Sequence, residues 1–329
     1  MTTIDLHRAR QDLTGWLGNL GMPTEVAEAV VDHVLAAEVV GRRSHGLRLL
    51  GWIARSAAAH GAEEVAVEVR EHGTVTIAAA GLPGIYALQR AMDEAIRQHE
   101  AGRHVVAVAV TGATGSTGCL GLHVHRLAQH GVTGLLVATS PSIMAPPGTA
   151  TVVLGTNATA LAAPVAGAPP LVMDFSSSAW SYGDIALARE RGEAVPEGVL
   201  LDRTGAPTTD PRDVVEGSIL PNGGHRGWAQ ALLVEALAGA AVGGKVGRAD
   251  GGDSALVLSI GPDAFGGSPS ASLRTLVGQL RDAKPGPDAE AAHIPGERFA
   301  RLDPWPTAVE VASSTLERLA DAGGPALDR

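Results

Sequence analysis

Three short segments carry side chains able to do chemistry. The first is Gly41-Arg-Arg-Ser44-His45-Gly46-Leu47, a loop that sets a hydroxyl beside an imidazole able to exchange protons near neutral pH. The second runs from Val172 through Asp174-Phe175-Ser176-Ser-Ser178 to Tyr182-Gly183-Asp184. Here a strand ends in an acid and a run of hydroxyls, which can bind ribose or phosphate oxygens without any lysine. Asp184 can donate a proton if burial raises its carboxyl pKa. It can equally serve as the N-cap of a helix over Ile185–Arg191. The third segment, Leu220-Pro-Asn-Gly223-Gly224-His225-Arg226-Gly227-Trp228, opens an amphipathic helix. Its backbone N–H groups and Arg226 can hold a phosphate, and a plain glycine-rich helix entry accounts for it as well. Taken alone, Ser44-His45-Gly46 also fits an ordinary surface loop.

A fourth motif competes with these. Gly112, Gly115 and Gly118 have the spacing of a dinucleotide-binding phosphate loop after an apolar strand. The strand that should then carry a ribose-binding acid ends Val137-Ala-Thr-Ser140, with no acid. The Tyr-x-x-x-Lys of short-chain dehydrogenases is also missing, since Tyr86 and Tyr182 are followed four positions on by Arg90 and Ala186. The glycines are therefore read as a turn.

Composition removes further chemistries. Of 25 Lys+Arg only Lys245 and Lys284 are lysines, followed by Val246 and Pro285, so no P-loop is present and a Schiff-base lysine is disfavoured. One cysteine, Cys119, excludes a disulfide framework and a multi-thiolate zinc site, and fits a reducing cytoplasm. A net charge of -10 and 3% aromatic residues speak against nucleic acid as a partner. His123 and His125 lie about 200° apart on a helix, so no metal site is expected from them and His130. Met1 to Leu20 lacks an apolar targeting core, and Ala229–Val242 is too short to span a bilayer. The expectation is a cytoplasmic globular protein with no membrane partner.

The elements that must position these residues follow from periodicity. Val26, Ala29, Val30, Val34 and Ala37 predict a helix over Thr24–Val40, stopped by Gly41 just before the Ser-His-Gly loop. Val65–Val69 and Thr74–Ala78 alternate as two strands joined through Glu71-His72-Gly73, and a helix is expected from Ile85 to His99. Strands are predicted at Val105–Val110, Gly134–Ala138, Leu171–Phe175 and Leu256–Ile260, with a helix over Leu122–His130. Pro141 to Pro170 reads as Pro/Gly-rich with short apolar pieces, and Ala283–Arg298 as a crossing between domains.

The order of these segments resembles the malate/L-lactate dehydrogenase family, which is unrelated to the Rossmann dehydrogenases. The likeness runs through Ser44-His45-Gly46, Leu154-Gly-Thr156-Asn157, Met173-Asp174-Phe175, Gly192-Glu-Ala-Val-Pro196 and Asp202-Arg-Thr-Gly205-Ala-Pro-Thr208-Thr-Asp210-Pro211. It continues in Gly223-Gly-His-Arg-Gly227 and Pro295-Gly-Glu-Arg298. The branch of Δ1-piperideine-2-carboxylate and Δ1-pyrroline-2-carboxylate reductases is the nearest in pattern, because Asp184 follows Gly183 where hydroxyacid dehydrogenases carry lysine.

The resemblance implies an α/β (α+β) chain with the malate/L-sulfolactate dehydrogenase-like fold. A largely antiparallel-sheet NAD(P)-binding domain would span 105–284, with a helical substrate and dimerisation domain from 1–104 plus 285–329. It implies a homodimer that transfers hydride between NAD(P)H and a small oxo or cyclic imino acid. His45 with Ser44 and Asp184 would manage protons, and Arg48, Ser116 and Tyr182 would face the substrate. Ser140, Thr156, Asp174, Phe175, Ser176, His225, Arg226 and Arg298 would hold the cofactor. Arg226, where the family more often has lysine, favours NADPH, with NADH as the alternative. The leading expectation is reduction of a C=N bond, since a carboxylic acid can protonate an imine as it accepts hydride. A 2-oxoacid reductase is the alternative, with His45 alone protonating oxygen. Two departures motivate a third reading, a non-catalytic scaffold. Ser116-Thr-Gly118 stands where the family has His-Phe-Gly, and Leu49 where it has a carboxylate-binding arginine.

Overall fold

The computed structural model describes residues 1–57, 65–70, 73–286 and 292–327. In chain order the elements are β1 (Thr2–Asp5), α1 (Leu6–Asn19), α2 (Thr24–Val39), α3 (Leu50–Ala57), β2 (Ala66–Val69), β3 (Thr74–Ala78), α4 (Gly84–Glu100), β4 (Val105–Ala113), α5 (Leu120–Gln129), β5 (Thr133–Ala138), β6 (Ala158–Val165), β7 (Ala168–Phe175), α6 (Tyr182–Arg191), β8 (Leu200–Leu201), β9 (Pro207–Thr208), β10 (Ser218–Ile219), α7 (His225–Val234), β11 (Asp253–Ile260), α8 (Pro269–Asp282), β12 (Ala308–Val311) and α9 (Ser313–Asp321).

A seven-stranded sheet in the order β2-β3-β4-β11-β5-β6-β7 forms the centre. Its pairings are antiparallel apart from β3 with β4. Val106, Val108 and Val110 alternate inward from β4, against Leu88, Ala91, Met92 and Ala95 of α4 and Val124 and Leu127 of α5. Each valine so buried contributes roughly 1.5–3 kcal/mol of transfer free energy. A second core gathers α1, α2, α3 and α9 around Leu13, Val30, Leu35, Leu50, Ile53 and Leu319, closed by the pairing of β1 with β12. The mixed architecture with a mostly antiparallel sheet is the expected fold class. β2, β3 and α4 join the sheet core, so the sheet crosses the division drawn after residue 104.

Antiparallel pairing decides where the site forms. It sets the C-terminal ends of β4, β5 and β7 beside the N-terminal ends of β6 and β11. Ala138 pairs with Ala158 and Ala255, Phe175 with Thr159, and Ala113 with Asp253. The loops at 114–119, 139–157 and 176–181 therefore emerge along one edge of the sheet.

Several expectations need correction. Pro141–Pro170 contains a full strand, β6, whose alanines and threonines pack by close approach rather than by bulk. Met1–Leu20, expected only to lack a targeting core, holds α1, in which Leu6, Ala9, Leu13 and Leu17 recur at three- and four-residue spacing under a polar exterior, in keeping with a mostly helical start of the chain. The helix after Gly227 keeps regular α geometry to Val234 and continues to Ala240 as a wider π-helical segment. Among the expected joints, Glu71 and His72 and part of Ala283–Arg298 lie outside the described residues. Among the described residues no helix is long and apolar enough to cross a membrane.

Candidate active site

A cavity of about 1200 Å³ opens where the sheet edge meets the helical core. Its first wall is the Ser-His-Gly turn. Gly41 ends α2 with a left-handed φ of 75°, and Arg43–His45 coil into a single 3-10 turn. Beneath the turn the buried Glu38 carboxylate accepts the Leu47 N–H at 2.9 Å, while its other oxygen has no partner among the described residues. Burial raises the Glu38 pKa to about 7, against the pull of that N–H and of Arg43 and Arg48.

Ser44 Oγ lies 3.0 Å from His45 Nδ1. Burial holds the imidazole below its ordinary value of 6.5, opposed by the carboxylates of Asp174 and Asp184 and assisted by Arg42 and Arg48. The ring is therefore neutral at pH 7.

The start of α6 packs against this turn because residue 183 is a glycine. A Cβ there would stand 3.0 Å from Ser44 Cβ and 3.1 Å from the Ser44 carbonyl oxygen. Arg48 Nη1 donates to the Gly183 carbonyl at 2.7 Å, and its other amino group pairs with Glu190. Asp184 consequently lines the same cavity as His45 and Ser44. The N-cap of α6 is Ser181, one turn earlier than expected. Its Oγ accepts the Asp184 N–H at 3.1 Å and donates to the Asp184 carboxylate at 2.7 Å. Asp184 is thus the third helical residue, oriented by a hydroxyl, and not itself the cap.

The glycine-rich turn forms the roof. Ser116 Oγ accepts the Gly118 N–H at 3.0 Å, and Ser116 lines the cavity together with the half-exposed Tyr182. Two histidines hold this turn from below. His33 Nε2 accepts the Cys119 N–H at 2.9 Å, His123 Nε2 donates to the Thr117 carbonyl at 3.0 Å, and the rings stack with centroids 4.5 Å apart. Burial lowers both pKa values, His123 to about 4. His33 was missed in the sequence, although it sits on the apolar face of α2 between Val30 and Val34, which marks it as buried. His125 stacks on Phe299 and His130 is exposed, so the three neighbouring histidines go separate ways.

The opposite wall is the sheet edge, where Ser140, Thr156, Asp174, Phe175 and Ser176 line the cavity. Ser140 Oγ lies 3.3 Å from Thr156 Oγ1. Gly155 makes that approach possible, since a Cβ there would fall 2.2 Å from Ser140 Oγ. Asn157, with φ of 35°, accepts the Ser140 N–H and donates to Glu235 at 2.8 Å. The Asp174 carboxylate accepts the Gly121 N–H at 2.8 Å at the start of α5 and a bond from the Cys119 thiol at 3.3 Å. Its carbonyl accepts from Arg42 at 3.1 Å.

The remaining expected cofactor residues stand apart from this cavity. His225 and Arg226 are exposed at the start of α7, beside a second cavity of about 560 Å³ lined by Gly223 and Gly224. The two cavities share Ala179, Trp180 and Asn222. Arg298 is half-buried and does not line this cavity; burial and the charges of Arg42 and Arg301 lower its pKa against Cys119 and Asp174. Glu190 and Arg318 line the first cavity and had no signal in the sequence, because each depends on helices distant in the chain.

The donor set fits a nicotinamide dinucleotide. The hydroxyls of Ser140, Thr156 and Ser176 offer hydrogen bonds to phosphate and ribose oxygens, and the exposed Arg226 at the start of α7 offers a guanidinium. The joined cavities have room for such a molecule together with a small substrate.

The chain resembles known proteins along most of its length. Residues 4–319 match the model of the malate/L-lactate dehydrogenase family. The chain is 37% identical over 238 residues to the (2R)-3-sulfolactate dehydrogenase (NADP(+)) of Chromohalobacter salexigens, covering 71% of this chain and 70% of that one. It is 28% identical over 319 residues to the Delta(1)-pyrroline-2-carboxylate/Delta(1)-piperideine-2-carboxylate reductase of Pseudomonas syringae pv. tomato, covering 92% and 91%. The crystal structure of delta1-piperideine-2-carboxylate reductase from the same pathovar superposes with a TM-score of 0.86 at 27% identity, over 98% of this chain and 100% of that one.

Proposed function

Because this chain belongs to the malate/L-lactate dehydrogenase family, we propose that it is an NAD(P)H-dependent oxidoreductase that reduces the C=N bond of a small cyclic imine. The observation that carries the imine reading is the position of Asp184. Its carboxyl lines the His45 cavity, held there by Ser181 and by the contact of Gly183 with Ser44.

Bound reduced nicotinamide supplies a hydride to the imine carbon. The protein's part is to supply a proton to nitrogen. Ser44 fixes His45 through Nδ1, which leaves Nε2 for the substrate. Asp184, oriented by Ser181, completes the relay with His45. Ser116, Tyr182 and Arg48 form the substrate's surroundings. Ser140, Thr156, Asp174, Phe175 and Ser176 hold the cofactor on the sheet edge, with His225 and Arg226 at its phosphate end and Arg298 within range of the Asp174 charge. Arg226 supports NADPH over NADH, with its guanidinium free in solvent to meet a 2′-phosphate. The same reading makes the protein a cytoplasmic homodimer, with a cofactor domain at 105–284 extended by β2, β3 and α4 of the shared sheet and a helical domain formed by the rest of 1–104 and by 285–329.

The 37% identity to a sulfolactate dehydrogenase supports a second reading, reduction of a 2-oxoacid with His45 alone protonating oxygen. Oxidation of NADPH and of NADH is measured with Δ1-piperideine-2-carboxylate, Δ1-pyrroline-2-carboxylate, pyruvate and carboxylate-free cyclic imines. Imines are expected to turn over. Turnover of oxoacids alone replaces the first reading by the second, and absence of cofactor binding defeats both.

A further inference from the structure

Arg48 and Glu190 form the most enclosed ion pair in the cavity wall. Their side chains are 11% and 8% exposed. Arg48 leaves the Ser-His-Gly turn and reaches across to α6. There it uses Nη1 on the Gly183 carbonyl and Nη2 on the Glu190 carboxylate. Gly183 and Glu190 are seven residues apart, so two helical turns bring both acceptors to one face. A second arginine, Arg318 of α9, reaches the same carboxylate at 3.1 Å. Glu190 thereby joins three parts of the chain at one point.

This arrangement bears on substrate choice. Bidentate capture of a carboxylate uses two N–H groups of one guanidinium in a fixed fork. In Arg48 both terminal nitrogens already have acceptors, and one of these is an enclosed anion fixed to the same wall. Leu49, next in the chain, is half-buried and adds an apolar surface to that wall. Arg42 lines the cavity on the Asp174 side, where its Nη2 donates to the Asp174 carbonyl, and Arg55 and Arg189 line it in exposed positions, where attraction for an anion is weakened by water.

We propose that Glu190 is a specificity-determining residue that withholds Arg48 from a substrate carboxylate, so that the cavity takes a cyclic imine bearing no carboxylate at that wall. This rests on the reading of the cavity as an imine-reducing site, and it is tested by binding so that the two stand or fall separately. In protein saturated with NADPH, calorimetry measures the affinity for pyrrole-2-carboxylate and for its neutral counterpart, pyrrole-2-carboxamide. Glu190→Gln is expected to tighten carboxylate binding at least tenfold and to change carboxamide binding less than twofold. The double variant Glu190→Gln, Arg48→Gln is expected to lose the gain. Equal carboxylate affinity in wild type and Glu190→Gln, or an equal gain for the carboxamide, overturns the proposal. Should Glu190→Gln fail to fold, Glu190→Asp keeps the charge and shortens its reach. It is then expected to give a smaller gain in the same direction, and no gain overturns the proposal. A chain that turns over no imine but shows the carboxylate gain keeps this role for Glu190 and loses the imine reading.

Discussion

The two walls of the main cavity are built on different physical terms. The wall around His45 consists of ionisable groups brought close in a poorly hydrated space: His45, Asp184, Arg48 and Glu190 above the buried Glu38. The protonation of His45 and of Glu38 depends on burial and on the charges around them. The sheet-edge wall is made largely of hydroxyls, glycine and backbone, with Ser140, Gly155, Thr156 and Ser176 placed by hydrogen bonds. Of its acids, Asp174 is engaged with the start of α5 and Asp253 is paired with Lys245. The first wall suits proton transfer and substrate choice, and the second suits holding a large polar ligand by shape. Damage to one wall should therefore leave the other's property standing.

The largest effect is expected at His45. His45→Asn should lower kcat for imine reduction by about 10²–10⁴-fold, as for loss of a general acid–base group. Cofactor affinity, read by fluorescence titration, should stay within about twofold. Asp184→Asn should likewise abolish imine reduction while sparing cofactor affinity. Unchanged turnover there would reduce Asp184 to a helix-start residue. The converse break is Gly155→Ala, which drives a methyl into Ser140. It should weaken cofactor binding by about tenfold or more, for a cost of at least 1.4 kcal/mol, and leave the pH profile set by His45 in place. A shifted profile would mean that the walls are not separable.

Smaller effects sharpen the contrast. The Glu38 carboxyl has a folded-state pKa of about 7, above its ordinary 4.5. The folded protein thus binds the proton more tightly, and this group's support for the fold is lost as pH rises from 4.5 through about 7. Glu38→Gln keeps an acceptor for Leu47 without the charge. It should therefore raise stability at pH 8 by up to roughly 3 kcal/mol relative to wild type, with no gain at pH 4, followed by urea denaturation at both values. The smallest effect is a displaced pH limb. The His45 pKa is lowered, so reductive kcat/KM should fall as pH rises through a value below 6.5, and the oxidative direction should gain over the same range. A limb above 6.5 in the free enzyme would show that the carboxylates outweigh burial.

Much of this wall chemistry could be seen in order but not in assembly. Ser44-His45-Gly46, Asp174 and Asp184 are visible as reactive types after a helix stop and a strand end, and the structure gathers them along one cavity. His225 and Arg226 are visible in the same way, yet they are exposed outside this cavity, next to the glycines that line the second one. Arg298 is half-buried and does not line the cavity, because neither its loop nor its direction is encoded by local pattern.

The periodicities of α2, α4, β4 and β5 follow from local spacing, so helix and strand type were determined by the sequence itself. Its order of motifs also determined the family. Only the tertiary structure decided that β11 inserts between β4 and β5, which aligns the loop ends along one edge. It alone decided that Ser181 rather than Asp184 caps α6, and that Glu190 and Arg318 close on Arg48. The physical reason is the range of the forces involved. Backbone periodicity acts over one or two turns, whereas a buried charge takes its state from whichever distant side chains exclude water around it.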